Sequence, residues 1–470
     1  PHPAPPRRLL SKVAAAAVVT LTVGAFMAPP AFGEEDNRIS AWSTGGKHAF
    51  SMVPIDDWLE ELNEQEEPLW QGWEFVDVID INDNHDVLCI MKHTQTLRET
   101  AFVRIMDENP NAIQDAFWRP VREDLGDTND YVPLGFNNSR SVVGYYNNGT
   151  YDVGYRADYS SGSDPWTIHT YFTTFGGQVS DINNVGDMCG IEQVVGLARA
   201  VVYTTGGSWG SLPTDADISD SGALAISERS TRNADVVVAG QGVDVDDGGE
   251  TVGLLWWPDG STFIADRFDG TTGPSWSPRP TGVSSSGLVC GFETVVTYLG
   301  SLDDQPNVWV PTAPLPGEPG WAQRLLFASG SMIYKDLEYR LEHRATDMYY
   351  NDVAGDEWAI IVFDNGGIWV WTGAYGSQDS PFTFVPVHRH VNYPRRALDG
   401  LFVGAAVNAR ETLVGTVLLP DEQDPIGPGL GMGGNENGFV GSDPVGTPMP
   451  VVVLTDGEIY GSCNSGSGSE

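Results

Sequence analysis

Short apolar steps interrupted by a polar turn recur along most of this chain. The fullest copy is DINNVGDMCG, Asp181–Gly190. Its pattern runs Ile/Phe/Val, Asn/Ser, Asn/Asp, any residue, Gly, any residue, Val/Leu/Met. Asn, Asp and Gly tolerate the left-handed backbone of a tight turn, and apolar residues flank the turn on both sides, as in a β-hairpin. Further copies start at Asp80 (DINDNHDVLC), Gly135 (GFNNSRSVVG), Asp217 (DISDSGALAI), Gly282 (GVSSSGLVCG) and Ala406 (AVNARETLVG). A weaker copy starts at Asn351 (NDVAGDEWAII) and needs an insertion to align.

Downstream of each motif lies a second apolar strand. Examples are AFVRIM from Ala101, ARAVVYTTGGSW from Ala198, VGLLWWPDGS from Val252, GGIWVWTG from Gly366 and PVVVLTDGEIY from Pro450. The six clear copies start 55, 46, 36, 65 and 124 residues apart. A mean period of about 55 is too long for a leucine-rich coil and suits a four-stranded propeller blade with loop insertions. The predicted fold is therefore all-β, a single β-propeller of seven blades, with six or eight as the alternatives. The strand around His48–Val53 precedes the first motif and is expected to complete the last blade beside Val451–Leu454, closing the ring. A short acidic helix is predicted between Asp56 and Pro68.

The Asp-Ile-Asn-Asp-x-Gly-x-Val-x-Gly pattern, with its downstream apolar strand, resembles the extracellular HAF repeat family. The His-Ala-Phe of that name stands at His48, Ala49 and Phe50. The likeness covers most of residues 39–460, with good cores at Asp80 and Asp181 and degraded ones at Gly135, Gly282, Asn351 and Ala406. It implies a secreted bacterial protein with a β-propeller fold, and it implies no catalytic activity.

Composition changes the picture in two ways. The 470 residues include 55 glycines and 31 prolines, which favour turns over long helices. The 64 acidic residues against 25 Lys and Arg give a net charge of −39. Such a surface repels phosphate backbones, so nucleic-acid binding is excluded, whereas cations, cationic ligands or a saline habitat suit it. Arg7, Arg8 and Lys12, the apolar run Val13–Met27 and Ala31-Phe32-Gly33 read as an export signal over 1–33, by the general or the twin-arginine route. The expected organisation is then signal 1–33, propeller 34–460 and a polar tail 461–470. The expected location is extracellular or periplasmic, with no membrane span after signal removal and a monomeric state. Cys89, Cys189, Cys290 and Cys463 show no metal spacing, and the first three fall at the same or adjacent repeat positions, as small buried residues would.

Several groups are candidates for chemistry. Asp80, Asn82, Asn84 and Asp86 alternate like the first half of a calcium loop, although His85 replaces the turn glycine. An Asx-stabilised hairpin turn is the simpler reading of the same residues. Asp244, Asp246, Asp247 and Glu250 bring four carboxylates to a Gly-Gly turn, enough for calcium or simply an acidic loop. His388, Arg389, His390, Arg395 and Arg396 form a basic cluster against the global charge, suited to an anionic ligand or to internal counter-charge. Trp256 and Trp257 offer stacking surfaces for sugars. Adjacent strand residues face opposite sides, so one of the two is expected to point out of its sheet surface. No nucleophile elbow, zinc motif or phosphate loop is present in the sequence. The expected role is a secreted, non-catalytic binding or surface-scaffold protein for an extracellular polysaccharide or protein. The insertions around 262–280, 374–396 and 421–449 are its expected contact surface. A propeller hydrolase or lyase acting on extracellular polysaccharide is the alternative.

Overall fold

A computed structural model describes residues 39–42, 49–54, 72–105, 117–121, 129–160, 166–229, 236–246, 248–259, 262–268, 277–296, 302–311, 321–325, 344–351, 358–363, 367–371, 382–386, 401–410, 412–420 and 446–455. These residues belong to one compact unit, Arg38–Glu470. The predicted helix at Asp56–Pro68 and the polar tail lie outside them. Among the described residues no helix is long and apolar enough to cross a membrane.

Among the described residues the strands form seven antiparallel sheets. The first contains β3 (Trp73–Ile81), β4 (Val87–His93), β5 (Glu99–Ile105) and β6 (Phe117–Pro120). The second contains β7 (Tyr131–Phe136), β8 (Ser141–Asn147), β9 (Asp152–Tyr159) and β10 (Trp166–Tyr171). The third contains β11 (Gly177–Ile182), β12 (Met188–Val194), β13 (Leu197–Tyr203) and β14 (Trp209–Ser211). In the fourth are β15 (Ile218–Ile226), β16 (Val238–Asp244), β17 (Glu250–Asp259) and β18 (Thr262–Phe268). The fifth holds β19 (Ser277–Val283), β20 (Val289–Val296), β21 (Leu302–Pro311) and β22 (Trp321–Leu325). The sixth holds β23 (Ala345–Asn351), β24 (Trp358–Phe363), β25 (Gly367–Trp371) and β26 (Phe382–Pro386).

The seventh sheet joins both ends of the chain. It runs β1 (Ile39–Trp42), β2 (Ala49–Pro54), β29 (Gly446–Thr455), β28 (Leu413–Pro420) and β27 (Leu401–Val407). Phe50 pairs with Thr455 and Val53 with Val452, the closure expected from the sequence. The first strands touch in succession, β3 with β7, then β11, β15, β19, β23 and β27, and β27 meets β3 again. This is a β-propeller arrangement.

The predicted second strands of the repeat are the third strands of the sheets. Both faces of a sheet are buried against its neighbours, which is why their apolar residues do not alternate with polar ones. Trp256 packs with Cys189, Ala200 and Val202 on one side of the fourth sheet, while Trp257 packs with Val283, Val289 and Trp309 on the other. The two do face opposite ways, but neither points to solvent. As exposed sugar platforms they are corrected, because the next sheet covers the second face.

Every first strand carries a β-bulge, near its end in six of them and near the start of β23, which runs on past it to Asn351. The residues immediately after the bulge are Asp80, Gly135, Asp181, Ala225, Gly282, Asp347 and Ala406. Two motif positions are thereby corrected. The fourth copy begins at Ala225 and not at Asp217, because the Ser219–Gly222 stretch that mimics a turn lies inside β15. The sixth sheet's equivalent is Asp347 and not Asn351, which still pairs with Trp358 as strand. An Asn/Asp/Gly tetrad serves a bulge as well as a turn, and only pairing tells them apart.

The closing glycine of the motif also acquires a reason. A Cβ on Gly144, Gly190, Gly240 or Gly291 would lie 2.0, 2.2, 2.0 or 2.2 Å from the carbonyl oxygen of Val132, Gln178, Gly222 or Arg279 on the bulged strand. The bulge pushes backbone into the space a side chain would occupy. Gly190→Ala is expected to lose about 2 kcal/mol of unfolding free energy by overpacking, read from denaturant titration. Gly210→Ala, whose Cβ meets nothing nearer than 4.0 Å and whose backbone is not left-handed, is the comparison for backbone effects alone.

Candidate functional site

The motif loops lie at one end of the ring and bind each other sheet to sheet. In the third sheet Asn183 Oδ1 accepts from the N–H groups of Val185 and Asp187, closing an Asx turn at 3.1 and 2.9 Å. Its Nδ2 donates forward to Ser227 O of the fourth sheet at 3.1 Å. Asn137 donates likewise to Asn183 O, Asn82 to Asn137 O and Asn408 to Asn82 O, at 3.0, 3.2 and 2.9 Å.

A second relay runs beside the first. Ala409 N–H donates to Asp83 Oδ1, Asp83 N–H to Asn138 Oδ1, Asn138 N–H to Asn184 Oδ1 and Asn184 N–H to Glu228. The donors and acceptors that the turn leaves over are therefore satisfied by the neighbouring sheet. These asparagines are half of a joint and not a free polar surface.

Two arginines, which the sequence reading did not single out, complete the joint. Arg229 grips Asp187 from the next sheet through both Nε and Nη2 at 2.7 Å. Arg140 grips Asp86 in the same way, with Nε to Oδ2 at 2.7 Å. Both carboxylates are fully buried. Burial pushes Asp187 upward, but Arg229, Thr205 N–H and Asn183 more than offset it, so its carboxyl lies below the ordinary range. Arg140 and His85 occupy left-handed backbone, φ 60° and 64°, where the third and fifth sheets place Gly186 and Gly287. The signal that could have revealed Arg140 is a bulky residue at the glycine position of a turn.

The centre of the ring is acidic. Asp80, Asp181 and Asp347 stand at the bulge position of the first, third and sixth sheets, and each bridges to the next sheet. Asp80 accepts from Phe136 N–H at 3.0 Å, Asp181 from Ile226 N–H at 2.9 Å and Asp347 from Val407 N–H at 3.0 Å. Each also accepts from the N–H of the residue that follows it, at 2.7 Å. The neighbour always offers a small residue at the equivalent position, Gly135, Ala225 or Ala406, so the carboxylate can reach across.

Burial, joined by repulsion from Asp347, pushes Asp181 up to about 7. Burial pushes Asp347 to about 6. Asp80 is raised by burial first and by Asp347 and Asp181 after it. The first strands of the sheets touch in succession around the ring, and charge on sheets that are not neighbours adds to these shifts.

The other sequence candidates fall as follows. Asp80 is the bulge carboxylate, Asn82 and Asn84 form an Asx turn and donate to the second sheet, and Asp86 holds Arg140. Asp244 is buried and meets Arg267 Nη1 at 2.6 Å, and the same guanidinium reaches Asp217 at 2.5 Å. An arginine thus supplies the positive charge at that loop. Asp246 is exposed, Glu250 pairs with Asp244 across the hairpin, and Asp247 lies outside the described residues. Among the described residues no group of three or more His, Cys, Asp or Glu is placed to hold a metal ion. Trp256 Nε1 donates to Pro213 O at 2.6 Å within the core. His388, Arg389, His390, Arg395 and Arg396 lie outside the described residues, as do most of the insertions at 374–396 and 421–449. Cys89, Cys189 and Cys290 are buried free thiols, which burial pushes upward.

No family model matches this chain, and no curated protein matches it. Solved structures with some similarity include the apo form of prolyl oligopeptidase B from Galerina marginata. It has a TM-score of 0.42 and 10% identity over 85% of this chain and 60% of that one. A post-proline cleaving enzyme from Rickettsia typhi aligns with a TM-score of 0.42 and 9% identity, over 78% of this chain and 52% of that one. A Trypanosoma rangeli sialidase in complex with 2,3-difluorosialic acid aligns with a TM-score of 0.35 and 9% identity, over 83% and 54%. The chain spans between about half and three-fifths of the length of these proteins. Likeness at this level bears on neither substrate nor mechanism.

Proposed function

We propose that the chain is a secreted HAF-repeat protein whose seven sheets are the seven blades of a closed propeller. In this reading it acts as a binding or surface-scaffold protein for an extracellular glycan or protein, without chemical turnover. The observation that carries the reading is that most of the large apolar side chains exposed among the described residues, Leu97, Phe175, Val195, Leu197 and Val245, lie at one end of the ring, while Val185 is exposed at the motif end and Leu134 and Ile264 within strands. Apolar groups gathered on one face of an otherwise acidic surface are what a contact surface offers. The relays and ion pairs at the opposite end support it by making the ring a rigid frame. Incubation with extracellular polysaccharides is expected to return them intact, with retention on some of them or on a protein partner. Recovery of shortened or unsaturated glycan would sink the non-catalytic reading.

One observation favours the alternative, a propeller hydrolase or lyase. Asp181 and Asp347, held near 7 and 6, are in the range where a carboxyl can exchange protons at neutral pH. If glycan cleavage is found, Asp181→Asn is the variant that decides whether these carboxylates carry it.

A further inference from the structure

Strands alternate in direction, so the turn between the second and third strands opens at the end of the ring opposite the motif loops. The connection from one sheet to the next opens at that end too. Leu97, Val195 and Val245 occupy such turns in the first, third and fourth sheets, and Leu197 opens β13 directly after the Val195 turn. Phe175 lies in the connection into the third sheet, and Gln193 N–H donating to Gly176 O at 3.0 Å ties that connection to the Val195 hairpin.

The Val195 turn is built against local preference. Val194 pairs with Leu197, leaving Val195 and Gly196 as a two-residue loop with φ 51° and 86°. Positive φ at both positions is a type I′ turn, which favours Asn-Gly and strains a β-branched residue. Val195 is nevertheless 84% exposed and gains nothing by burial. Leu97, 65% exposed, is also left-handed at φ 58° in the matching turn of the first sheet. Strain that folding does not repay, at an exposed apolar tip, points to a contact made by the tip.

The surroundings restrict the partner. Asp130, Asp152, Glu192, Asp220 and Asp246 lie at this end, at strand starts and turns around the tips. Against them stand Lys92, Arg98, Arg199, Arg267 and Arg344, but Lys92 is paired with Glu99, Arg267 with Asp217 and Asp244 and Arg344 with Asp304, and Arg98 is buried.

We infer that this end of the ring is a docking surface for a basic protein segment, one that presents aliphatic or aromatic anchors to Val195, Leu197 and Phe175 and positive charge to the acidic rim. The inference rests on the binding reading above and names its partner class. Apolar tips supply the contact area, and the rim supplies orientation and speed of encounter.

Val195→Asn tests it, because the change leaves charge untouched and installs the residue the turn prefers. The probe is a fluorescein-labelled lysine/leucine peptide, with a glutamate/leucine peptide as control, followed by anisotropy. The parent protein is expected to bind the basic peptide and not the acidic one, more weakly as salt rises. Val195→Asn is expected to bind roughly tenfold more weakly while melting no lower than the parent. Equal binding by variant and parent, or failure of the basic peptide to bind, overturns the proposal. Retention of a polysaccharide that Val195→Asn does not alter would overturn this surface and leave the broader binding function standing. Loss of binding to every glycan and peptide would remove both.

Discussion

Arg229→Ala is expected to lower the unfolding free energy by about 3 kcal/mol, because it strands a carboxylate that no water reaches. Asp187 has no exposed side-chain surface, and Arg229 supplies both of its short charge-assisted bonds from the next sheet. The bonds from Asn183 Nδ2 and Thr205 N–H remain, which is why the loss is put at the low end for a broken buried pair. Adding Asp187→Asn to Arg229→Ala removes the stranded charge and should recover more than half of the loss. Denaturant titration of the two variants beside the parent checks this. Equal stability of the single and double variants would show that the guanidinium matters for packing and not for charge. Arg140→Ala tests the same joint one pair of sheets earlier and is expected to cost less. There Asp86 also lies near the buried guanidinium of Arg104.

Stability is expected to fall as pH rises from about 4 to about 7, the opposite of ordinary acid denaturation. Asp181 is raised to about 7 and Asp347 to about 6, with Asp80 raised beside them. In the unfolded chain all three titrate near 4. Folding therefore binds protons between these values, and stability is full below the unfolded pKa and lost as pH rises through the folded ones. One pKa unit corresponds to about 1.4 kcal/mol, but the carboxylates are only half-buried and share one repulsion, so about 3 kcal/mol is expected over the window. Asp187 acts in the other direction: its lowered pKa contributes stability above about 4 that is lost in stronger acid. The two effects place the maximum near pH 4. Melting curves from pH 4 to 8 check the slope, and Asp181→Asn should flatten it. A parent protein most stable at pH 8 would contradict the central carboxylates as described.

The amount of this structure legible in the sequence differs from residue to residue. The sequence alone pairs the strand His48–Val53 with Val451–Leu454, since an unpaired apolar strand at each end of a repeat array needs a partner, and the observed strand is Ala49–Pro54. Opposite orientation of Trp256 and Trp257 was legible too, because side chains alternate along any strand. That both would be buried was not, because it depends on a sheet on each side. Asn82 and Asp80 read as a turn or half a cation loop, since local spacing shows which oxygens are near one another along the chain. It does not show that Asn137 or Phe136, more than fifty residues on, holds their other ends.

What the sequence determined by itself is the repeat unit: a strand, an Asx turn, a glycine where backbone crowds in, and a second apolar strand. Local sterics and hydrogen-bonding capacity decide those features within about ten residues, so they survive in copies as degraded as Gly135 and Gly282. The tertiary structure alone decided which polar residues join sheets and which remain for a partner. Asp181, Asp187 and Asn183 lie within one motif, and all three are consumed by residues of the next sheet. Val195 stands a few residues further on, and ring geometry leaves it in water. Burial and charge pairing belong to the assembled ring and not to the segment. For that reason the acidic motif that looked most like a site is a joint, and an apolar turn tip is the better candidate for contact.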